Sequence, residues 1–158
     1  MKKELIRTRE FTGRLEWIGI AAEAGSNMES RETAELVEAK GISGDRHGAG
    51  RRKKRQVTLI QAEHLPVVAR LLDAEGVYPS QLRRNLLISG INLASLKGRD
   101  FTIGDAHLRG TGDCVPCERM EETLGPGGYD AMVGHGGLTA AVITGGTVTV
   151  GDEVRCLR

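Results

Sequence analysis

The chain has few cysteines, few aromatic side chains and almost no net charge, and each shortage excludes a class of protein. Its 158 residues include three cysteines, an odd number that cannot form a fully paired disulfide framework. Aromatic residues make up 3% of the chain, which leaves few stacking platforms for single-stranded nucleic acid. The formal net charge is +1, so any attraction for anions has to come from local clusters of charge.

Long apolar runs are also missing. No stretch approaches the ~20 apolar residues that a membrane helix requires. The first ten residues are highly charged, where a secretory signal would have an apolar core. We therefore expect a reduced, cytoplasmic protein that does not enter a membrane. The length predicts a single domain over residues 1–158, and a chain of this size buries roughly two-thirds of its unfolded surface.

Glycine, by contrast, is abundant, with 22 residues, and it separates short runs of β-forming residues. Strands are predicted at residues 14–22, 33–39, 56–60, 86–88, 101–103, 106–109, 138–144, 147–150 and 153–157. Gly145-Gly146 between two of these strands predicts a tight hairpin, whereas residues 61–75 have helical spacing. The predicted fold class is therefore mainly β, with a closed barrel or sandwich and a few inserted short helices.

Cys114 and Cys117 form a Cys-x-x-Cys pair. Pro116 between them suits the first turn of a helix, where its missing N–H has no partner to lose. We therefore predict a helix that starts in this segment, with Asp113 or Cys114 as its cap. Cys117 would then lie among free backbone N–H groups beside Arg119, and both features would favour the reactive thiolate. The plain alternative is that both cysteines are small buried side chains.

The same cysteine pair is compatible with two other kinds of site. A thioredoxin-like redox site requires a βαβ context, whereas this chain is predicted to be mostly β. A structural zinc site requires four ligands, and nothing in the spacing of His135 or Cys156 requires them to complete one. No metal site is therefore predicted.

Two glycine-punctuated loops carry polar residues. Residues 41–48 include Asp45, Arg46 and His47, and residues 134–137 include His135. Glycine lets a backbone approach a ligand closely, and the carboxylate, the guanidinium and the imidazoles add an acceptor, a fixed cation and titratable groups. Each loop could bind a ligand, and the alternative is a surface turn; taken alone, residues 41–48 favour a turn in which Asp45 bonds nearby amides.

Two clusters of basic residues complete the candidates. Arg83-Arg84-Asn85 precedes a strand and would present planar, charge-assisted donors to a phosphate. Residues 51–55 are five consecutive cations, which form either a solvated loop or a surface for an anionic ligand or an acidic partner. This run has no interleaved aromatic residues and accompanies no nucleic-acid-binding motif, which disfavours binding to nucleic acid.

Taken in chain order, these segments resemble one family. They are Gly44-Asp45-Arg46-His47, Arg55-Gln56-Val57-Thr58-Leu59-Ile60, Arg83-Arg84-Asn85-Leu86, Gly90-Ile91-Asn92-Leu93, Gly112-x-Cys114-x-x-Cys117 and Gly134-His135-Gly136-Gly137. The ordered set resembles the MOSC domain, named after the C-terminal domain of molybdenum cofactor sulfurases, over about residues 14–154. The resemblance implies a β-barrel that binds the molybdenum cofactor (molybdopterin), or a related ligand, and handles sulfur through one cysteine.

The resemblance also implies roles for individual residues. Cys117, which follows a proline, would carry sulfur as a persulfide, and Arg119 would stabilise its negative charge. Cys114 would resolve the persulfide or take no part. The residues implied to hold the cofactor are Asp45, His47, Arg83, Arg84, Asn85, His135 and Gly136.

The function expected from these features is that of a sulfur carrier of the sulfurtransferase type. The chain has no room for the pyridoxal-phosphate domain that extracts sulfur in the larger sulfurases, so a separate cysteine desulfurase or another donor has to supply it, and a molybdoenzyme is a candidate acceptor. Two alternatives stay open. One is a non-catalytic module that binds or carries the cofactor, and the other is an accessory protein that uses residues 51–55 on an acidic partner.

Overall fold

The computed structural model describes residues 10–48 and 53–157. Its strands are, in chain order, β1 (Thr12–Ile20), β2 (Glu29–Arg31), β3 (Thr33–Val37), β4 (Gly41–Ile42), β5 (Val57–Gln61), β6 (Leu86–Ser89), β7 (Asp100–Ile103), β8 (Ala106–Asp113), β9 (Leu138–Thr144), β10 (Gly146–Thr149) and β11 (Glu153–Cys156). Its helices are α1 (His64–Leu71), α2 (Pro79–Leu82), α3 (Glu118–Leu124) and α4 (Gly128–Met132), with a 3₁₀ turn at Leu93–Leu96.

Seven of the described strands close into a barrel. They pair in the order β1-β11-β7-β8-β9-β5-β6, and β6 returns to β1. Closure is possible because β1 is long enough to pair with β11 through residues 12–14 and with β6 through residues 14–18. The parallel pair β5 and β6 is connected by a crossover that contains α1 and α2. The prediction of a closed β-barrel with a few short helices is confirmed.

A register shift in β1 explains why both faces of this strand are apolar in sequence. The ladder between β1 and β6 shifts between Leu15 and Trp17. Leu15 and Ile18, which strict alternation would place on opposite faces, are therefore both fully buried in the barrel core. Trp17 stays half-exposed and donates its indole N–H to Ser30 Oγ at 2.9 Å.

Two apolar clusters hold the fold together. The first fills the barrel, and the second lies between the barrel and the helices. Leu59 and Ile60 are consecutive in β5 but belong to different clusters, as expected of side chains that alternate across a strand. The helix side of the second cluster includes Val68, Leu82, Met120 and Met132, one from each helix. Full burial of such a side chain contributes about 1.5–3 kcal/mol, so this cluster holds the helices and the loops between them in place.

The predicted hairpin at Gly145-Gly146 is wrong. Both strands form, as β9 and β10, but they do not pair with each other. β8 takes one edge of β9 along its length. On the other edge β5 pairs with residues 138–140, and nearer the turn Val142 N donates to Gln56 Oε1 while Val142 O accepts from Ala39 N, so that edge is already in use. β10 pairs instead with β3, in a separate three-stranded sheet that also contains β4.

The helix predicted over residues 61–75 is present but shorter. Gln61 ends β5, and α1 begins at His64 and ends at Leu71. Asp73 follows with a φ of 51°, a left-handed conformation that commonly ends helices. Within the described ranges, no helix combines the length and apolar character needed to span a membrane.

The helix after the cysteine pair also begins later than predicted. Its N-cap is Cys117, whose side chain makes no capping hydrogen bond, and its first residue is Glu118. Pro116 therefore precedes the helix, and neither Asp113 nor Cys114 caps it. Asp113 is the last residue of β8 and accepts a hydrogen bond from a lysine of a neighbouring loop. Cys117 thus lies just before the helix and not inside its first turn.

Candidate functional site

Arg84 joins three segments that are distant in sequence. Its side chain is only 3% exposed. Nε donates to Gly136 O at 2.9 Å and Nη1 donates to Leu82 O at 3.0 Å. Nη2 makes longer contacts of 3.4 Å with Cys114 O and Val115 O. Burial lowers the pKa of this guanidinium, but each of its nitrogens has a backbone carbonyl as partner, so its polar groups are satisfied inside the protein.

Asn85 and Asp45 connect further segments. Asn85 Oδ1 accepts hydrogen bonds from Thr58 N and Thr58 Oγ1, both at 3.1 Å. Its Nδ2 donates to Gly19 O at 3.1 Å and to Asp45 Oδ1 at 3.2 Å, and the same carboxylate oxygen accepts from Ala21 N at 2.9 Å. The loop that carries Asp45 is thereby bonded to the ends of β1, β5 and β6.

Cys114 belongs to the same close-packed unit. It is 1% exposed, and its N–H donates to Gly137 O at 2.9 Å. The glycine loop packs directly against it, because a Cβ added at Gly136 would lie 1.9 Å from Cys114 O. Cys114 is therefore a small buried side chain, which is one of the alternatives that the sequence left open for this cysteine.

Arg83 differs from its neighbour in nearly every respect. It follows α2 in a left-handed conformation with a φ of 57°, which few non-glycine residues adopt. Its Nη1 donates to Ser26 O at 2.7 Å. Its Nε and Nη2 are buried and have no hydrogen-bond partner among the described residues. These two nitrogens form one edge of the guanidinium, which is suited to bind two oxygens of a carboxylate or phosphate at once.

Two further arginines, one aspartate and one cysteine act electrostatically on Arg83. Burial lowers the pKa of Arg83, and the positive charges of Arg46 and Arg119 lower it further. Asp45 and Cys117 act in the opposite direction. Cys117 is exposed, and Arg119 is half-buried in α3. Positive charge is therefore concentrated next to an accessible thiol.

Four arginines of the site lack the carboxylate partners that other basic residues have within the described part of the chain. Paired residues away from the site include Arg31, Arg109, Arg155 and Lys97. The site arginines that form no ion pair within the described part of the chain are Arg55, Arg83, Arg84 and Arg119. Placing a cation away from water is unfavourable without a counter-charge. The site is therefore electrostatically suited to an anion.

The order of these segments along the chain also matches a known domain. The family model for the MOSC domain matches residues 43–155. The chain belongs to the MOSC domain family. The matched region contains the Asp45 loop, both central arginines, both cysteines of the pair and the glycine loop, so the resemblance stated from sequence is confirmed.

Solved structures share the MOSC-type fold. The YuaD protein from Bacillus subtilis superposes with a TM-score of 0.81 at 23% identity, covering 95% of this chain and 99% of that chain. YiiM from Escherichia coli gives 0.69 at 18% identity, covering 96% of this chain and 71% of that chain. YiiM from Geobacillus stearothermophilus gives 0.72 at 12% identity, covering 92% and 75%. Among proteins of curated function, none matches this sequence.

His135 lies on the glycine loop of this MOSC domain, after α4. Its Nδ1 is 3.1 Å from Ala131 O, and its ring meets the ring of His64 edge-on, with 5.0 Å between ring centroids. These contacts connect the loop to α4 and α1. The next residue, Gly136, supplies the carbonyl that Arg84 binds, so His135 lies at the rim of the unit built around Arg84.

A small pocket adjoins the Asp45 loop. His47 is buried, and its N–H donates to Asp45 Oδ2 at 3.1 Å, so both side chains belong to the protein interior. The pocket has a volume of about 320 Å³ and is lined by Ala22, Val37, Lys40, Gly41, Ser43, Gly44, Asp45 and Gly48. Its size is at the lower end of the range for small-molecule sites.

The basic run predicted at residues 51–55 is described only in part. Arg51 and Arg52 lie outside the described residues. Lys53 and Lys54 are exposed, and Arg55 is half-buried with an Nε that has no hydrogen-bond partner in the described part. Arg55 also lowers the pKa of Arg84, after the larger effect of burial. The end of the run therefore adds to the positive charge of the site.

Arg46 is recognised in the sequence as a cation of the loop at residues 41–48, but the sequence assigns it no role in the site. It stands between Asp45 and His47, which are both buried, while Arg46 itself is half-buried. Its charge acts on Arg83. Its position between an aspartate and a histidine in a glycine-rich loop is the sequence signal that could have assigned it a role.

Proposed function

We propose that this MOSC protein is a sulfur carrier that holds sulfane sulfur as a persulfide on Cys117 and binds the phosphate of the molybdenum cofactor, or of a related ligand, at Arg83. One observation supports the proposal most strongly. The unpartnered edge of Arg83 lies near an exposed thiol, and the charges of Arg46 and Arg119 act on it. Membership of the MOSC family favours the same ligand and the same chemistry.

The residues present fit a phosphorylated cofactor. Two buried donors without partners on Arg83 match two phosphate oxygens, and Arg46 and Arg119 add charge. Arg84, Asn85 and Asp45 already bond protein groups, so we expect them to shape the wall of the site. When bound, the cofactor supplies a molybdenum centre that can accept sulfur.

Loading of Cys117 is a transfer between sulfurs and needs no oxidant. The thiolate of Cys117 attacks the outer sulfur of a donor persulfide, R–S–SH, such as that of a cysteine desulfurase. A new S–S bond forms, the S–S bond of the donor breaks, and the donor leaves as R–S⁻, so that Cys117 becomes Cys–S–SH. Arg83 and Arg119 stabilise the negative charge that the sulfur carries when this persulfide loses its proton.

Release is the same reaction in the opposite sense. A nucleophilic acceptor, for example a site in a molybdoenzyme, takes the outer sulfur, and Cys117 leaves as a thiolate. Cys114 is buried and its backbone is held by Arg84 and Gly137, so we assign it no direct part in the transfer.

Labelled cysteine tests the carrier role. The reduced protein is incubated with a cysteine desulfurase and ³⁵S-cysteine, and the sulfur is mapped by mass spectrometry. We expect one added sulfur on Cys117 in the wild type and in Cys114→Ala, and none in Cys117→Ser. Label that persists in Cys117→Ser would refute the assignment.

A cofactor-binding module without sulfur transfer is the second candidate, because the edge of Arg83 alone accounts for anion binding. In that case Cys117→Ala binds molybdopterin as tightly as the wild type does, and no persulfide forms. In both candidates Arg83→Gln weakens the binding of molybdopterin, whereas Arg155→Gln, which removes an exposed and ion-paired arginine, leaves it unchanged.

A further inference from the structure

We infer that Cys117 also takes sulfur directly from a small dianionic sulfane-sulfur donor of the thiosulfate class, so that the protein can be loaded without a partner protein. The inference rests on the proposed persulfide at Cys117. It adds a second substrate class and a second activity, that of a thiosulfate sulfurtransferase, to the same site.

The first support is the chemistry of the Arg83 nitrogens that have no hydrogen-bond partner. The edge formed by Nε and Nη2 of Arg83 is buried and lacks a partner. The sulfonate end of thiosulfate presents oxygens at a spacing similar to that of phosphate, which this edge can bind in a bidentate way. Ser26 O already occupies Nη1 at 2.7 Å, so the edge keeps a fixed orientation.

The second support is the amount of charge. Burial is the largest cause that lowers the pKa of Arg83; the charges of Arg46 and Arg119 also lower it, while Asp45 and Cys117 oppose them. Neither Arg83 nor Arg119 has a carboxylate partner among the described residues. A dianion compensates this repulsion better than a monoanion or a neutral donor does.

The third support is the position of the thiol. Cys117 is the exposed residue that precedes α3, Arg83 is the residue that follows α2, and these two helices contact each other. A small anion held at Arg83 is therefore close to an accessible sulfur nucleophile. Cys114, three residues earlier, is buried and offers an internal control.

The reaction balances without any other reagent. The thiolate of Cys117 attacks the outer sulfur of thiosulfate, S–SO₃²⁻. The S–S bond of thiosulfate breaks, its electron pair leaves with sulfite, SO₃²⁻, and Cys117 becomes the persulfide anion Cys–S–S⁻. The thiolate and thiosulfate together carry three negative charges, and so do the persulfide anion and sulfite. A nucleophile such as cyanide then takes the outer sulfur as thiocyanate and regenerates the thiolate.

The donor and the phosphorylated cofactor would use the same edge of Arg83, so they cannot bind there together. Loading with thiosulfate therefore precedes cofactor binding. Inorganic phosphate, which offers the same arrangement of oxygens, should inhibit loading by competing with thiosulfate.

The test uses the intact reduced protein, thiosulfate as the only sulfur source, and mass spectrometry together with the release of sulfite. We expect the mass of one added sulfur on Cys117 in the wild type and in Cys114→Ala, and none in Cys117→Ser. Arg83→Gln should lower the rate of loading at limiting thiosulfate about 10- to 100-fold, because charge-assisted hydrogen bonds to the donor are lost. Arg155→Gln, a matched change at an exposed arginine paired with Glu153, should load as the wild type does.

Two outcomes separate this inference from the proposed function. If a desulfurase loads Cys117 and thiosulfate does not, the inference is wrong and the carrier function stands. If neither loads Cys117, both are wrong. Loading by thiosulfate at an equal rate in Arg83→Gln, or without inhibition by phosphate, would refute the role assigned to Arg83 and with it the anion-directed activity.

Discussion

The two sides of the site show how differently one protein can use similar residues. We call one side the closed half, formed by Asp45, Arg84, Asn85 and Cys114, which are all buried. We call the other the open half, formed by Arg46, Arg83, Cys117 and Arg119, which are exposed or half-buried. Arg83 and Arg84 are consecutive in the chain, yet one has two buried nitrogens without partners and the other has a partner for every nitrogen.

The difference indicates which residues build the site and which are left for a ligand. Buried polar groups in proteins are nearly always hydrogen-bonded. A side chain whose polar atoms are all satisfied by backbone groups, as in Arg84, is therefore part of the framework. A buried donor without a partner, as in Arg83, is unfavourable unless another molecule satisfies it.

The largest expected effect concerns stability. Arg84→Met should lower the free energy of unfolding by about 3 kcal/mol, because four backbone carbonyls lose a charged partner. Arg83→Met should change it by less than about 1 kcal/mol, because the lost bond to Ser26 O is offset by less repulsion from Arg46 and Arg119. Urea unfolding of both variants measures the contrast, and equal losses would remove the distinction between the halves.

The next effect concerns packing within the closed half. Gly136→Ala should destabilise the protein by about 2 kcal/mol, because the new Cβ would lie 1.9 Å from Cys114 O. Gly112→Ala is the matched control, since the nearest atom to its Cβ is Thr139 Oγ1 at 3.8 Å, and we expect a change within about 0.5 kcal/mol. Thermal unfolding compares the two, and a tolerated Gly136→Ala would mean that the loop moves freely.

A smaller effect concerns the open half and its anion. Inorganic phosphate at about ten times its dissociation constant should stabilise the wild type by about 1.4 kcal/mol. Most of this gain should disappear in Arg83→Gln and persist in Arg155→Gln. The midpoint of thermal unfolding, measured against phosphate concentration at constant ionic strength, provides the test. An undiminished gain in Arg83→Gln would place the anion elsewhere.

The smallest effect concerns pH at the rim. Burial and the nearby charge of His135 lower the pKa of His64, while Glu63 opposes them. The imidazole of His64 therefore binds a proton more readily in the unfolded chain than in the folded protein. Its contribution to stability is present above its ordinary pKa and is lost as the pH falls below that pKa. Stability should decline between about pH 7.5 and about pH 5.5 less steeply in His64→Gln than in the wild type. Parallel slopes in urea unfolding would contradict this.

Much of the fold was accessible from the sequence, because alternating apolar residues and glycine turns are local signals. The segments that form β5, β6, β7 and β8 were predicted within a few residues of their observed bounds. The prediction of a hairpin at Gly145-Gly146 failed because pairing depends on which strand edges are free, and Val142 of β9 is already bonded to Gln56 and Ala39 on the edge that a hairpin would use. The start of α3 failed because Pro116 is compatible both with a first turn and with the loop before it.

The site was accessible from sequence only as a set of residue types. A cysteine pair, an Arg-Arg-Asn segment and two glycine loops identified the MOSC family, and the structure brings them together through Arg84 and Asn85. Nothing in the local sequence distinguishes Arg83 from Arg84.

The sequence by itself determined the family, the mainly β architecture and the candidate chemistry, because these depend on residue types and their order along the chain. Only the tertiary structure decided that Cys114 is enclosed and Cys117 is exposed, and that Arg84 is satisfied while Arg83 is not. The reason is physical. Burial and hydrogen bonding depend on which distant carbonyls and charges surround a side chain, and those neighbours are set by the closed barrel and the helices packed on it.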